Sequence, residues 1–225
     1  MKTVIILQAR MNSSRLPGKI MLKLKGKTVL EHVVGRLQTF TRADDLVVAT
    51  TDSPRDDVTY EVCDKIGAKV FRGSEENVLE RYFMCAKEHG ADQVIRATAD
   101  DPLTNIALLN KMFDSHLGNN ADYTYSDGFP IGVQEEIVRF EALQKCYELS
   151  YKPNHFEHVL EYIIENQDDF AVSLIKAEGI LRRPDVRITL DTREDFEVIS
   201  KCYDHFENIL NVSMENIIDF WDQLK

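Results

Sequence analysis

The first strand-like segment of the chain runs directly into a polar loop. Val4 to Leu7 are four consecutive apolar residues, and the run ends at Gln8. A run this short, bounded by polar residues, is typical of a strand that a parallel sheet buries on both faces. The loop from Arg10 to Lys19 carries three cations, two serines, an asparagine and a Pro17-Gly18 turn. Because it can direct guanidinium, ammonium, hydroxyl and backbone N–H groups towards one anion, we interpret it as a phosphate-binding loop.

The pattern beyond this loop predicts an α/β fold. Apolar runs alternate with segments of helical spacing from the first residue to about residue 118. This alternation is typical of a Rossmann-like, mostly parallel mixed sheet with helices on both faces. Ligands of such sheets bind beyond the carboxyl ends of the strands. The loops expected at that edge are residues 10–19, 50–52, 72–74 and 98–102.

The charge of the chain is unevenly distributed. Residues 1–27 contain seven Lys or Arg and no acidic residue, whereas the whole chain carries a net charge of −11, so the remaining residues sum to −18. A local positive field on an acidic body suits a small polyanion, whereas a nucleic-acid backbone would need a basic stripe across the domain. We therefore expect no nucleic-acid partner. For Lys23, Lys25 and Lys27 the alternative is a solvated turn.

Two aspartates directly follow predicted strands. Asp100 comes after the strand that ends near residue 97, and Asp191 follows the alternating segment 186–190. Because Mg²⁺ favours one or two carboxylates together with phosphate oxygens, the pair predicts a magnesium site beside the phosphate-binding loop. Asp101 is a second candidate ligand. The structural alternative is that Asp100 or Asp101 only serves the start of the next helix.

Other kinds of site are disfavoured by the sequence. A Walker A loop would need glycine at position 13 and Ser or Thr at position 20, and no G-x-G-x-x-G motif follows the first strand. His155 and His158 supply two metal ligands without an identified third, so no zinc site is predicted. The four cysteines lack C-x-x-C pairing, which favours a reducing compartment. With no signal segment and no membrane-spanning run, we expect a cytoplasmic protein without a membrane partner.

Residues 9–19 carry a family resemblance. The segment Ala9-Arg10-Met11-Asn12-Ser13-Ser14-Arg15-Leu16-Pro17-Gly18-Lys19 matches A-R-x-x-S-x-R-L-P-G-K at every fixed position. It resembles the opening of the bacterial cytidylyltransferases that activate sugars, the family of CMP-Kdo synthetase, and more closely the branch of spore coat polysaccharide biosynthesis protein F. The resemblance extends over nearly the whole chain. It implies one domain over residues 1–225 with a fold of the nucleotide-diphospho-sugar transferase type.

The resemblance implies a reaction and roles for individual residues. CTP would activate a sugar, sugar acid or related acceptor for surface polysaccharide biosynthesis, with Mg²⁺ as cofactor and pyrophosphate as product. Arg15 and Lys19 would hold the β- and γ-phosphates and stabilise the departing pyrophosphate, and Arg10 would contact the phosphates near the nucleoside. Asp100 and Asp191 match the aspartates of the family's G-D-x-P-L and D-T-x-E-D segments and would hold Mg²⁺. The further nucleotide-binding candidates are Gln8, Ala9, Ser13, Arg72 and Ser74.

The sequence departs from the family pattern at two places. Ala99 and Asp101 differ from the first aspartate segment, so the backbone there is expected to differ slightly. Ile131 and Gln134 replace two acids of an Asp-Gly-x-Asp-x-Glu segment that many relatives carry. An acceptor bound through those acids need not be the substrate here, so the acceptor stays open. By resemblance, an excursion over about residues 119–186 forms the acceptor side of the cleft and a homodimer contact.

Three alternatives stay open. Glu157-His158-Val159 match a family Glu-His-Val segment, and His158 would contact the acceptor or make a structural hydrogen bond. A nucleotide-sugar-dependent glycosyltransferase also uses a Rossmann-like sheet with acidic metal ligands, but it would release no pyrophosphate. A non-catalytic nucleotide-binding protein of a polysaccharide pathway would bind nucleotide without turnover.

Overall fold

The computed structural model describes residues 1–224, in which nine strands and nine α-helices are formed. The strands are β1 (Thr3–Gln8), β2 (Lys23–Leu24), β3 (Lys27–Thr28), β4 (Asp45–Thr51), β5 (Lys69–Gly73), β6 (Gln93–Thr98), β7 (Tyr123–Asp127), β8 (Glu136–Arg139) and β9 (Val172–Lys176). The helices are α1 (Val29–Leu37), α2 (Asp57–Lys65), α3 (Val78–Glu88), α4 (Ile106–Gly118), α5 (Phe140–Leu149), α6 (Pro153–Glu157), α7 (Glu161–Glu165), α8 (Arg193–His205) and α9 (Met214–Gln223).

Seven strands form one mixed sheet in the order β5-β4-β1-β6-β8-β7-β9. β1 pairs in parallel with both β4 and β6, and β4 pairs in parallel with β5. β8 runs antiparallel to β6 and β7, while β9 is parallel to β7. The predicted α/β fold with a mostly parallel mixed sheet is therefore confirmed. Because β1, β4, β5 and β6 point the same way, the loops that follow them lie along one edge of the sheet.

The sheet divides the apolar core into two layers. Along β1, Ile5 and Leu7 face one layer, and Val4 and Ile6 face the other. This follows from the period of two, which places successive side chains of a strand on opposite faces. Helices α1, α4, α8 and α9 build most of the first layer, and α3 and α5 contribute to the second. The four residues Val4 to Leu7 of β1 are at most 1% exposed, as predicted for a strand covered on both sides.

Capping boxes fix where two helices begin. The Thr28 hydroxyl accepts the backbone N–H of Glu31, and the Glu31 carboxylate accepts the N–H of Thr28 at 2.6 Å. α1 therefore begins directly after Thr28. Thr192 and Asp195 form the same arrangement at the start of α8. Such caps satisfy N–H groups that a helix leaves without partners, and the second one fixes the chain directly after Asp191.

The segment 186–190 is extended but does not join the sheet, contrary to the prediction of a strand. Only Arg187 forms a bridge, with Ile131. The N–H of Ile131 donates to Val186, and the N–H of Ile188 donates back to Ile131. The three apolar residues of the segment are fully buried. The alternating pattern therefore arises because one side of an extended segment is buried. This segment pairs with the loop around Ile131 and not with a strand of the sheet.

Apolar residues recur at helical spacing over residues 154–166, and this segment forms two short helices, α6 and α7. The break lies at Val159, whose φ of 50° is in the left-handed region. Leu160 then donates its N–H to the carbonyl of His158 at 2.5 Å. Val159 and Leu160 are both buried, whereas Ile164, which continues the same spacing, is 45% exposed.

Residues 119–186, predicted as an excursion, contribute β7, β8 and β9 to the same sheet. The acceptor and dimer roles of this segment stay predictions. Within residues 1–224, no helix has the length and apolar character needed to cross a membrane.

Candidate active site

The loop of residues 10–19 is held in place by hydrogen bonds at its base. The N–H of Met11 donates to Oδ1 of Asp56 at 2.7 Å, and Asp56 is itself buried beside the hydroxyl of Thr51. The carbonyl of Met11 accepts the N–H groups of Ser13 and Gly18, each at 3.0 Å. Gly18 has a φ of 71°, which glycine adopts without strain. The loop is thus closed on itself and anchored to the turn after β4.

A cavity of about 520 Å³ opens beyond the carboxyl ends of β1 and β6. The loop forms one wall, the residues that follow β6 form another, and α6 closes the far side. The residues that line it are Gln8, Arg10, Asn12, Ser13, Ser14, Arg15, Lys19, Ile20, Arg96, Thr98, Ala99, Asp100, Glu157, His158 and Asp191.

Lys19 joins the two aspartates that the sequence analysis selected. Its Nζ lies 2.6 Å from Oδ2 of Asp100 and 3.0 Å from Oδ1 of Asp191. The backbone also connects these aspartates, because the N–H of Leu190 donates to the carbonyl of Asp100 at 2.8 Å. Two segments that are 91 positions apart in the sequence therefore present their carboxylates to one point.

Asp191 is surrounded by cations. Arg15 lies 2.8 Å from its Oδ1, and Arg187 lies 2.5 Å from its Oδ2. Burial alone would raise the pKa of this carboxyl, but the hydrogen bond and charge of Lys19, together with Arg187 and Arg15, hold the pKa below its ordinary value. Asp195 fixes the backbone here by accepting the N–H groups of Asp191 and Thr192, both at 2.9 Å. Asp191 is therefore an ionised, positioned carboxylate.

Two further carboxyl groups, Asp101 and Glu135, lie close enough together for the charge of one to affect the other. Burial, followed by the nearby charge of Asp100, raises the pKa of Asp101 to about 7. Burial, followed by Asp101, likewise raises the pKa of Glu135 well above its ordinary value. Asp101 accepts the hydroxyl of Thr98 at 2.9 Å, and Glu135 lies 2.8 Å from the hydroxyl of Thr104. Asp101 does not line the cavity, so Asp100 is the residue of this pair that faces it.

Arg96 also lines the cavity, although the sequence did not predict it as a site residue. It lies within β6, where its guanidinium forms a 2.5 Å ion pair with Glu136, whose other oxygen accepts the hydroxyl of Tyr123. Its Nε is buried with no hydrogen-bond partner among residues 1–224, and so is Oε1 of Gln8. Buried polar groups are rarely left unpaired, so both atoms are suited to meet a ligand.

Arg10 is engaged by α6. Its Nη2 lies 2.6 Å from Oε1 of Glu157, a residue 147 positions away in the sequence. His158, the next residue, lines the same side of the cavity. An anionic ligand that binds Arg10 must therefore compete with the carboxylate of Glu157.

The structure brings most of the sequence-predicted residues together. Gln8, Arg10, Ser13, Arg15, Lys19, Asp100 and Asp191 all line the cavity. Ala9 is buried and donates its N–H to Ala49. Arg72 points elsewhere, donating to the carbonyls of Thr51 and Ser53 and to the carboxylate of Asp57 at 2.8–2.9 Å. Ser74 accepts the N–H of Asn77 ahead of α3.

The aspartate pair fits a hard divalent cation in its donor type. Oδ2 of Asp100 and Oδ1 of Asp191 already converge on one positive group, the Lys19 ammonium. Among the described residues no group of three or more His, Cys, Asp or Glu side chains is arranged to hold a metal. Two carboxylates with open positions suit Mg²⁺, which completes its shell with phosphate oxygens and water.

Comparisons with known proteins identify the family of the chain. Residues 4–225 match the sequence model of the cytidylyltransferase family. The chain is 34% identical over 228 residues to spore coat polysaccharide biosynthesis protein SpsF of Bacillus subtilis, covering 96% of this chain and 92% of that protein. A solved cytidylyltransferase structure from Leptospira borgpetersenii has a TM-score of 0.94 and 32% identity, covering 100% of this chain and 95% of that one. A solved structure of CMP:2-keto-3-deoxy-manno-octonic acid synthetase complexed with CTP shares the fold, with a TM-score of 0.73 and 17% identity over 91% of this chain and 99% of that one. The resemblance inferred from residues 9–19 is confirmed.

Proposed function

The chain belongs to the cytidylyltransferase family, and we propose that it transfers the cytidylyl group of CTP to a small sugar or sugar-acid acceptor for surface polysaccharide biosynthesis. The observation that carries this proposal is the convergence of Arg15 and Lys19 with Asp100 and Asp191 in one cavity. Cations from the phosphate-binding loop and carboxylates from two distant segments are the groups that phosphoryl chemistry needs at one place. The name of SpsF supports the assignment to polysaccharide biosynthesis.

In the proposed reaction an acceptor oxygen forms a bond to the α-phosphorus of CTP. The bond from that phosphorus to the bridging oxygen breaks, pyrophosphate leaves with the electron pair, and the acceptor hydroxyl loses its proton. Such a transfer depends on positioning and on neutralisation of charge more than on covalent help from the protein. Arg15 and Lys19 would bind the β- and γ-phosphates and stabilise the negative charge on the leaving pyrophosphate. Arg10 would contact the phosphates nearer the nucleoside once Glu157 releases it.

We propose that Asp100 and Asp191 hold Mg²⁺. Their convergence on the Lys19 ammonium supports this, since one compact cation already occupies the point between them. When bound, the ion would neutralise charge on the phosphate oxygens beside the reacting phosphorus. Lys19 would then turn from the aspartates towards the phosphates.

Gln8 is our candidate for recognition of the base. Its Oε1 is a buried acceptor with no partner among residues 1–224. The exocyclic amino group of cytosine is a donor, whereas uracil carries an acceptor at the same position. A Gln8 side chain that presents this oxygen to the base would favour CTP over UTP.

The test is thermal unfolding of the purified protein with CTP, UTP, GTP and ATP, each with and without Mg²⁺. A ligand at about 100 times its Kd adds about 2.7 kcal/mol to the free energy of unfolding, enough for a clear shift in Tm. We expect the largest shift with CTP, an increase of that shift with Mg²⁺, and loss of the Mg²⁺ effect in Asp100→Asn. The matched control is Asp219→Asn, an exposed aspartate on α9.

The reaction itself is tested by pyrophosphate release from CTP with sugars, sugar acids and phosphorylated or phosphonate-bearing acceptors. Release that requires both CTP and one acceptor supports the proposal. Stabilisation by a nucleotide sugar in preference to CTP would favour a glycosyltransferase. Nucleotide binding without turnover across the acceptor set would favour a binding protein, and no nucleotide effect would contradict the assignment of the cavity.

The predicted homodimer belongs to the same proposal. It rests on the family resemblance of residues 119–186. Light scattering of the purified chain tests it directly, and a monomer mass at micromolar concentration would contradict it.

A further inference from the structure

A second cavity, of about 590 Å³, is lined by Arg36 on α1 and by the first residues of α4 and α9. We propose that it binds a small organic anion, a carboxylate or phosphate ester with an apolar body. None of the residues that line it lines the active-site cavity. The proposal therefore goes beyond the nucleotidyl transfer proposed above and does not depend on it.

The main observation is a buried arginine without a counter-ion. Arg36, on α1, is 3% exposed and lines this cavity. Its Nε donates to the carbonyl of Thr104 at 2.5 Å and its Nη1 to that of Ile209 at 2.7 Å. Among residues 1–224, Nη2 has no hydrogen-bond partner and no carboxylate pairs with the guanidinium. Burying an unpaired charge is costly, so a site of this kind is suited to an anionic ligand.

Two helices begin at the wall of this cavity. α4 starts after Asn105, whose Oδ1 accepts the N–H of Leu108, and α9 starts after Ser213, whose Oγ accepts the N–H of Asn216. Both caps line the cavity, together with the first residues of each helix. A helix N-terminus carries a partial positive charge and N–H groups without intrahelical acceptors. The N-termini of α4 and α9 therefore add two partial positive charges near the guanidinium of Arg36.

The rim supplies two free cations. Lys111 and Lys176 line the cavity and are exposed, and neither pairs with a carboxylate among the described residues. Glu178 and Glu215 also lie on the lining, which limits the net charge to a small positive value. This small positive charge suits a ligand with one or two negative charges rather than a polyanion such as a nucleoside triphosphate.

The remaining walls are apolar and define the body of the ligand. They are formed by Ile106, Leu108, Phe129, Leu181, Leu210, Val212 and Met214. A mixed cavity of this size matches the small-molecule sites of proteins, in which apolar walls are combined with a few placed polar groups. Inorganic phosphate alone would leave these walls in contact with water.

The test uses 8-anilinonaphthalene-1-sulfonate, an aromatic sulfonate whose fluorescence rises on binding, and competition with octyl phosphate, octanoate and octanol. We expect saturable binding of the probe, displacement by octyl phosphate or octanoate, and no displacement by octanol. Lys111→Glu and Lys176→Glu should each weaken binding about fivefold to tenfold, because they invert a charge at the rim. Ala107→Trp, at the exposed start of α4, should block the cavity without altering the core.

The matched control is Lys65→Glu, the same change of charge at an exposed position of α2 outside both cavities. It should bind the probe within about twofold of the unsubstituted protein. Displacement by octyl phosphate alone identifies a phosphate site, and displacement by octanoate alone identifies a carboxylate site. Equal displacement by octanol, binding that none of the three cavity variants changes, or displacement by CTP at its own Kd would overturn the proposal.

Discussion

The ammonium of Lys19 lies 2.6 Å from Oδ2 of Asp100 inside the active-site cavity. The same nitrogen lies 3.0 Å from Asp191, and the Lys19 side chain is only 10% exposed. Two carboxylates at this separation from one point would repel each other without a shared cation. The protein therefore carries an internal positive charge where we propose that a metal ion binds.

Lys19→Met should lower the free energy of unfolding by about 2 kcal/mol at pH 7.5 in the presence of EDTA, because Asp100 and Asp191 lose their common partner. Millimolar Mg²⁺ should restore part of that loss in the variant and have a smaller effect on the unsubstituted protein. Urea unfolding measures both. The control is Lys65→Met, which lies on the surface of α2, and a Lys19 variant no less stable than this control would contradict the prediction.

Asp101→Asn should change how stability depends on pH. The pKa of Asp101 is raised to about 7 in the folded protein from an ordinary value of 3.8, by burial and by Asp100. Between these values the folded protein keeps a proton that the unfolded chain has released, so this group makes stability fall as pH rises, by at most about 1.4 kcal/mol per unit. The variant should gain stability relative to the original protein from pH 5 to pH 7. If the difference in unfolding free energy between Asp101→Asn and the unsubstituted protein is equal at pH 5 and pH 8, the prediction is wrong.

Gly132→Ala should destabilise the protein by about 2–3 kcal/mol and weaken nucleotide binding. Gly132 has a φ of 97°, and an added Cβ would lie 2.7 Å from Cα of Thr189. The displaced backbone is the extended segment that ends at Asp191. The control is Gly35→Ala within α1, where nothing lies within 4 Å of the added carbon, and it should stabilise by about 0.5–1 kcal/mol. Urea unfolding and CTP titration measure the two effects, and parallel behaviour of both variants would contradict the argument.

Arg72→Met and Arg15→Met should separate a structural arginine from a ligand-binding one. Arg72 makes three hydrogen bonds to the chain between residues 51 and 57, so its loss should lower stability by about 1–2 kcal/mol and leave CTP affinity within about twofold. The Arg15 side chain is 62% exposed and lines the cavity. Its loss should weaken CTP binding about tenfold with little change in stability. Calorimetric titration measures the CTP affinity of both variants. Weaker CTP binding by Arg72→Met would show that Arg72 contributes to the nucleotide site.

The parts of the site that could be predicted from the sequence are those formed by residues that are close together along the chain. Residues 10–19 form one contiguous loop after a strand, and Asp100 follows a strand end, so their place at the edge of a parallel sheet follows from the topology. Arg96 lies inside β6, and whether its side chain reaches the cavity depends on the register of the sheet. Glu157 reaches Arg10 only because of how α6 packs, 147 residues later. Arg72 was placed at the correct edge, but nearby carbonyls determine the direction of its guanidinium.

The position of β1 has a consequence for how the chain is made. Its neighbours are β4 and β6, and the pairing of Thr3 with Gln93 spans 90 residues. At a synthesis rate of about 5–20 residues per second, the interval before β6 exists is roughly 5–20 s. During that interval Val4 to Leu7, apolar towards both sides, have one edge without a partner, and such edges are where unfinished chains associate. The yield of this protein in a cell should therefore respond to the speed with which residues 45–98 follow the first strand, whatever the final stability of the finished molecule.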